Sequence, residues 1–221
     1  MPSASSSGFP PHSVALEQFG LKFSAGGAHI SRTMMLSELE AVLAAVPFGS
    51  TAADYRDAIL QRNVLGKVTD STRQKSLRHL RELYALDEAT PIFGLLRKLY
   101  AIDAVSLPLL AVMVAWARDP LFRATTQPIM DASEGERVET DALAQALGAE
   151  FPNQYSEVSQ STTARNAASS WTQSGHLAGR SATVRARGAL ARPTHGPRRL
   201  SDFRVDRAGS ADRRASSVRE R

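Results

Sequence analysis

The stretch TAADYRDAILQRNVLGKVTDSTRQKSLRHLRELY, residues 51–84, predicts a helix, a tight turn and a second helix. Thr51 can cap the first helix, and Asp54 stands at the reciprocal position of a capping box. Gly66 can take the left-handed conformation that ends a helix. Apolar spacing predicts an inner stripe for the first helix, made of Tyr55, Ala58, Ile59 and Leu65.

The second helix, residues 71–86, has two different faces, and Asp70 or Ser71 is expected to cap it. Its leucines and Tyr84 fall on one side. Basic and amide side chains lie roughly 140° away on an ideal helical wheel, namely Gln74, Lys75, Arg78 and Arg81. Residues 56–81 hold seven Lys/Arg and two acids, a local charge of +5. An ordinary solvated face looks similar, but the helix-turn-helix order and the charge together favour contact with a nucleic-acid backbone.

The overall charge says little about the folded part of the chain. The chain carries a net charge of +5 with a pI near 10.0. Residues 181–221 hold eleven Arg and four acids, a net charge of +7, whereas residues 1–180 hold sixteen Lys/Arg and eighteen acids, a net charge of −2. The basic pI is therefore a property of the C-terminal tail, and only the local cluster at 56–81 supports binding.

Composition divides the chain into four parts, and helix signals make the fold class mainly α. We expect a disordered N-terminus (1–15), a helical domain (16–148) with the helix-turn-helix at 51–86, a winged-helix-like module (149–187) that could be incomplete, and an Arg/Ser-rich disordered tail (188–221). Caps and periodicity predict a helix ended by Pro47, an inward face for the helix after Thr90-Pro91, and a helix capped by Thr140 and ended by Gly148. The inward sets are Met35, Leu39, Val42, Leu43 and Val46, then Ile92, Leu95, Leu96 and Leu99.

The most apolar run, VSLPLLAVMVAWA at residues 105–117, is too short for a transmembrane helix. A spanning helix needs about 20 apolar residues, and a run of this length is more often a core helix. We therefore predict a buried central helix and no membrane partner. The N-terminus lacks the pattern of a secretory signal, and the chain has no cysteine, so a cytoplasmic location is expected.

Motifs for catalysis or cofactor binding are absent from the sequence. The five histidines are scattered, and none pairs at metal-ligand spacing with another histidine or a carboxylate. There is no nucleophile elbow, no P-loop and no dinucleotide-binding glycine pattern. We accordingly expect no enzyme activity, no cofactor, no metal and no small-molecule substrate.

The segment 156–174, SEVSQSTTARNAASSWTQS, predicts a second helix of functional interest. One side of its wheel is expected to face inward and groups Ser161, Ala164, Ala168 and Trp171. The other side is expected to be exposed and groups Thr163, Asn166, Ser170 and Gln173. Asn and Gln suit adenine edges, and Ser and Thr suit phosphates or bases. A turn at 175–180 and a strand near 183–187 would complete the order of a winged helix; a capping helix pair with a solvated polar face is equally compatible.

Two segments resemble the BrxA-like family of BREX (bacteriophage exclusion) defence systems. They are NVLGKVTDSTRQKSLRHLRELYALD (63–87) and TTARNAASSWTQSGHLAGR (162–180), and the similarity extends over residues 21–180. The resemblance implies a non-enzymatic, mainly helical protein of helix-turn-helix or winged-helix character that binds double-stranded DNA; similarity to the RNA-binding fold of NusB is a further implication. The matching positions are Ser71, Thr72, Arg73, Arg78 and Arg81, then Arg165, Asn166, Ser169, Ser170, Trp171, Gln173, Gly175 and His176.

The sequence thus predicts a DNA-binding, non-catalytic component of a phage-defence system, with other BREX proteins as further candidate partners. The expected nucleic-acid-binding residues are Ser71, Thr72, Arg73, Lys75, Arg78, Arg81, Thr163, Arg165, Asn166, Ser170 and Gln173. A transcription regulator and a protein–protein scaffold stay open as alternatives. The C-terminal tail differs from the family pattern. Two hypotheses explain this difference: the tail is an out-of-frame end of the gene, or it is a basic arm that adds nonspecific DNA affinity.

Overall fold

The computed structural model describes residues 12–179 and 184–186, and these are mainly helical. Two short strands pair antiparallel, with Leu177 opposite Arg185. Single 3₁₀ turns occur at Ala28–Ile30 and Ala104–Ser106. The elements in chain order are α1 (Val14–Phe19), α2 (Leu36–Ala45), α3 (Ala52–Leu60), α4 (Asp70–Tyr84), α5 (Pro91–Ile102), α6 (Leu107–Arg118), α7 (Pro120–Ala124), α8 (Thr126–Asp131), α9 (Thr140–Glu150), α10 (Glu157–Gln173), β1 (Leu177–Ala178) and β2 (Val184–Arg185).

Local capping chemistry accounts for the α3–α4 pair. The capping box between Thr51 and Asp54 is confirmed, with both hydrogen bonds present. Gly66 has the expected positive φ, +61°, but it does not end α3, which ends at Leu60. The loop of residues 61–69 replaces the predicted tight turn, and Leu65 lies in this loop rather than on the helix. The predicted cap of α4 is wrong: Thr69 caps the helix, and its side chain accepts a hydrogen bond from the Thr72 N–H at 3.2 Å. Threonine is a good N-cap, and an N-cap one residue earlier places Asp70 in the first turn, where its charge favours the helix dipole.

The core forms around α6, which packs against α2, α4, α5, α7 and α10. This confirms the prediction that residues 105–117 contribute a buried central helix. The stripe predicted for α2 is also confirmed, since all five of its members are buried. No single helix in the described ranges is long and apolar enough to cross a membrane; the apolar helices around α6 and α7–α8 reach that length only together, across a bend of 100°.

Several local predictions are wrong. Leu95 and Leu99 are 46% and 38% exposed and line an apolar groove of about 420 Å³ between α5 and α6. Gly148 does not end a helix, because α9 continues to Glu150. Thr140 does not cap α9 either, since the N-cap is Glu139, whose side chain forms no capping hydrogen bond. Hydrophobic periodicity identifies an apolar helix face but does not show whether a neighbouring element covers it. A glycine lowers the local stability of a helix but does not by itself end the helix.

The predicted division of the chain also changes. Ser13 caps α1, so the predicted disordered N-terminus is wrong for the described residues 12–15. Residues 1–11 and the tail 188–221 lie outside the described part of the chain. The boundary at 148 does not separate two compact units, because α9 packs along α10 and α10 packs on the Ala28–Ile30 turn.

Three buried arginines belong to the fold rather than to any outer surface. Arg97 donates to the carbonyl oxygens of Leu43 and Val46 at 2.9 and 2.8 Å, at the end of α2. Arg118 donates to carbonyls at the end of α4 and to the Gly20 oxygen, the latter at 2.7 Å. Arg123 similarly reaches the end of α6. Because the last carbonyls of a helix lack partners within it, a buried guanidinium can satisfy several at once.

Candidate nucleic-acid interface

The outer face of α4 presents the predicted basic row to solvent. Gln74, Lys75, Arg78 and Arg81 are all exposed, while Leu80 on the opposite side is fully buried. Within the described residues, none of the three cations forms an ion pair; Arg78 only approaches the neighbouring His79 ring, at 3.4 Å. The inner face packs on α3 and α6, so the row is carried by a fixed element. We call Lys75, Arg78 and Arg81 the α4 basic row.

The first turn of α4 serves the fold more than the predicted site. Arg73 is half-buried: its guanidinium donates to the Leu60 oxygen at 2.9 Å and pairs with Asp70. This ties the start of α4 to the end of α3, so the guanidinium of Arg73, which was predicted to bind nucleic acid, is engaged within the fold. Thr72 is exposed, but its hydroxyl donates to the Thr69 oxygen at 2.7 Å. Ser71 remains exposed at the same end of the helix.

The polar face of α10 is not the exposed surface that its sequence suggests. Thr163 and Ser170 are buried, and Asn166 and Gln173 are half-buried. Asn166 Nδ2 donates to the His29 oxygen at 2.9 Å, and Gln173 Oε1 accepts from the Leu36 N–H at 3.4 Å. Both interpretations of this face, groove reading and a solvated surface, are therefore wrong. The face packs on the backbone of residues 28–36.

At the centre of this contact, the side chains of Ser170, His29 and Asp119 are joined in that order by hydrogen bonds. Ser170 Oγ lies 2.9 Å from His29 Nε2, and His29 Nδ1 lies 2.7 Å from Asp119 Oδ2. The same order of groups occurs in serine hydrolases. Here each residue is at most 1% exposed, and Ser170 Oγ also accepts from the Met34 N–H at 2.8 Å and lies 2.9 Å from the Asn166 oxygen. A substrate cannot reach Oγ in this arrangement, so the three side chains act as a buried tie.

The tie joins the N-terminal loop, α7 and α10. Asp119 also accepts from the N–H groups of His29 and Phe122. Burial acts to raise the pKa of Asp119, but the charge and hydrogen bonds of His29, with the Phe122 N–H, lower it below its ordinary value. Gly27 passes so close that a Cβ there would lie 2.0 Å from Asp119 Oδ1. Only glycine fits at this position without movement of the carboxylate.

Sequence reasoning did not identify His29 or Asp119. The residue pair Asp119-Pro120 indicates only a helix cap, a role that Asp119 does fill for α7. The glycine pair before His29 was the sole local signal, since a glycine often marks a close approach of the backbone. The partners lie 90 and 141 residues apart in the chain, and no local pattern connects them.

The prediction that Trp171 faces inward is confirmed, and the residues on the opposite side of α10 are exposed. Trp171 is 4% exposed, donates its indole N–H to Thr125 Oγ1 at 2.9 Å and contacts the Phe122 ring, with 4.6 Å between centroids. Of the other residues expected inside, Ala164 is buried, whereas Ser161 is exposed. After the exposed first turn at Glu157 and Val158, the exposed row of α10 continues with Ser161, Arg165, Ser169 and Thr172. Arg165 bonds only Thr162 Oγ1, at 3.1 Å, among the hydrogen bonds described for its side chain.

Neither a protein-family model nor a curated protein matches this chain. The similarity to the BrxA-like family therefore remains a prediction from the motifs at 63–87 and 162–180.

Proposed function

We propose that this protein binds duplex DNA without catalysing a reaction, and that the α4 basic row contacts the phosphates. The supporting observation is that three cations on one helix face are exposed and lack carboxylate partners among the described residues. In the same helix, Arg73 is engaged by the fold. An unpaired cation can release counterions from DNA when it binds a phosphate, whereas a cation already paired with a carboxylate gains less.

The spacing of the α4 basic row matches the spacing of phosphates along one DNA strand. From Lys75 to Arg81 the helix rises about 9 Å, and each DNA strand carries one phosphate per about 3.4 Å of axis. The three side chains can therefore address neighbouring phosphates of one strand. Such contacts position a protein on DNA and carry no sequence information themselves.

Any further contact from α10 would come from its outer row. Arg165, Ser169 and Thr172 are exposed, whereas the polar residues first expected to read bases pack inward. The order α9, α10 and the paired strands β1 and β2 is the order of a winged-helix module, which supports the proposal. Helices α3 and α4 follow each other as in a helix-turn-helix, although the loop of residues 61–69 between them is longer than the usual turn. A cytoplasmic role in a BREX-type defence system, alongside other proteins of that system, is the proposal that the family resemblance adds.

The test compares two double variants of the full chain. The first, Arg78→Ala with Arg81→Ala, removes two members of the row. The control, Lys98→Ala with Arg137→Ala, removes two exposed cations from outside α4, of which Arg137 pairs with Glu139. Duplex affinity is measured against salt concentration for several unrelated sequences. We expect the first variant to weaken binding to all sequences alike and to reduce the slope of log affinity against log salt by about 2, roughly 1 per lost contact.

The control removes the same amount of charge, so a difference between the two variants reports the position and pairing of the cations rather than the net charge of the protein. If both variants lose the same slope, general charge attraction explains binding and the α4 proposal fails. If the first variant is folded and retains full affinity and slope, α4 does not contact DNA, and the scaffold alternative, in which this face binds a protein, takes its place.

A further inference from the structure

A second group of cations lines a polar cleft of about 350 Å³ on another side of α4. The cleft lies between the loop at residues 31–35, α2, the loop before α4, and the first turns of α4. Arg32 and Lys67 contribute positive charge, and Glu38 is the one carboxylate among its described lining residues. The lining therefore has a net charge of +1. The α4 basic row does not line this cleft.

The two cations keep unused hydrogen-bond donors. Arg32 is exposed and forms no ion pair with any described residue. Lys67 Nζ lies 3.0 Å from Glu38 Oε1, which uses one of its three N–H donors. A ligand with several acceptor oxygens could accept from both side chains without displacing Glu38.

The loops that carry these cations are held in place. Met34, two residues after Arg32, is fixed on both sides: its N–H donates to Ser170 Oγ at 2.8 Å, and its oxygen accepts from the Tyr84 hydroxyl at 2.5 Å. On the other loop, Asn63 accepts from the Lys67 N–H at 2.9 Å and donates to the Lys67 oxygen at 3.0 Å. Since both loops are pinned by such bonds, the cations are partly organised before any ligand arrives.

A hydroxyl without a protein partner lines the same cleft. The side chain of Ser76 makes no hydrogen bond within the described part of the chain, and its Oγ keeps some solvent contact although the residue as a whole is only 8% exposed. A hydroxyl in this position can donate to water or to a ligand oxygen. Asn166 also lines the cleft, and among the described residues one of its two amide hydrogens is used, toward the His29 oxygen.

We propose that this cleft binds a phosphate group. Guanidinium, ammonium and hydroxyl donors converge on one space, and a phosphate offers acceptor oxygens for all three. The group could come from a DNA strand or from a free phosphomonoester, which share this chemistry. The proposal stands apart from DNA binding by the α4 basic row, since none of its donors belongs to that row.

The experiment titrates inorganic phosphate into the full chain by calorimetry at constant ionic strength, with acetate as the comparison anion. We expect saturable binding of phosphate, which Arg32→Gln weakens by about tenfold, a typical effect of one lost charged hydrogen bond. Glu38→Gln should strengthen it, because a repelling carboxylate is removed. The matched control, Arg78→Ala with Arg81→Ala, should leave phosphate affinity unchanged. Arg32 is exposed, so its variant should keep the thermal midpoint, which is measured alongside.

Three results would overturn the phosphate site: no saturable binding, equal affinity for acetate, or a folded Arg32→Gln variant that binds phosphate as the original chain does. The two sources give different supporting results. If duplex DNA competes with phosphate and Arg32→Gln weakens duplex binding, a strand phosphate occupies the cleft. If duplex and phosphate bind together, a free phosphomonoester is the ligand. The two proposals can fail separately. Unchanged DNA binding by the Arg78/Arg81 variant overturns the α4 basic row and leaves the cleft untouched, whereas absence of saturable phosphate binding overturns the cleft and leaves the α4 basic row untouched.

Discussion

Helices α4 and α10 both have a polar face in their sequence, yet the fold treats the two faces in opposite ways. On α4, Lys75, Arg78 and Arg81 remain in solvent. On α10, Thr163 and Ser170 are buried, and their neighbours bond the backbone of residues 28–36. A polar stripe therefore indicates an outer surface only when its members are hard to bury.

The difference follows from the energetics of burial. A lysine or arginine carries a full charge that is costly to remove from water without a partner. A short neutral side chain needs only one or two hydrogen bonds, and a loop with free backbone groups can supply them. The loop before α2 supplies the N–H of Met34 to Ser170 and the carbonyl of His29 to Asn166.

The largest expected effect tests how α10 is held. Trp171→Ala removes a buried ring that contacts Phe122 and bonds Thr125, and should lower the free energy of unfolding by about 3–5 kcal/mol. The control Arg165→Ala, on the exposed row of the same helix, should change it by less than about 0.5 kcal/mol. Urea denaturation measures both. Similar values for the two variants would contradict the burial of α10 against α7.

The next effect concerns the buried tie and its dependence on pH. Asp119→Asn breaks a buried pair with His29 and should destabilise the protein by roughly 3 kcal/mol at pH 7. The pKa of Asp119 is lower in the folded state, so the pair stabilises the protein above the unfolded pKa near 3.8. That contribution is lost as the pH falls from there through the folded pKa.

The difference between the original chain and Asp119→Asn should therefore shrink below about pH 4. Two other histidines make both proteins depend on pH in the same way. Burial lowers the pKa of His79 and of His176, and the nearby charges of Arg78 and Arg185, respectively, lower it further. Their effect destabilises both proteins as the pH falls below 6.5. Denaturation curves between pH 7 and pH 3 measure the difference, and a gap that stays constant to the lowest pH would exclude Asp119 as its source.

A smaller effect separates the two kinds of serine on α10. Ser170→Ala leaves the Met34 N–H and His29 Nε2 without their shared partner and should cost about 1–3 kcal/mol. Ser169→Ala, one position along and exposed, should have almost no effect. The thermal midpoint of each variant reports the contrast. If Ser170→Ala is as stable as Ser169→Ala, the polar face of α10 is solvated after all.

The smallest effect on stability is expected on α4. Replacing Arg78 and Arg81 together should change the free energy of unfolding by less than about 0.5 kcal/mol, because neither pairs with a carboxylate in the described structure. Arg73→Ala should be more destabilising, since it removes a bond to the Leu60 oxygen. Chemical denaturation compares them. A larger loss for the Arg78/Arg81 variant would show that the row supports the fold.

Local features of the sequence were sufficient to predict much of the helical frame. The capping box at Thr51, the apolar stripe of α2 and the two faces of α4 all depend on residues within a few positions of one another. The burial of Trp171 also followed, because a large aromatic side chain on a helix face seldom stays in water. By contrast, Leu95 and Leu99 have the same periodicity as their buried neighbours, and they border a groove that no described element covers.

Only the tertiary structure decided which polar residues turn inward. Arg97, Arg118 and Arg123 bond helix ends that lie far away in the chain, and His29 meets Asp119 and Ser170 over 90 and 141 residues. A sequence specifies caps and periodicity because these depend on neighbours along the chain. Whether a polar group is buried depends on a partner brought close by packing, and the free energy that keeps it inside exists only once that partner is in place.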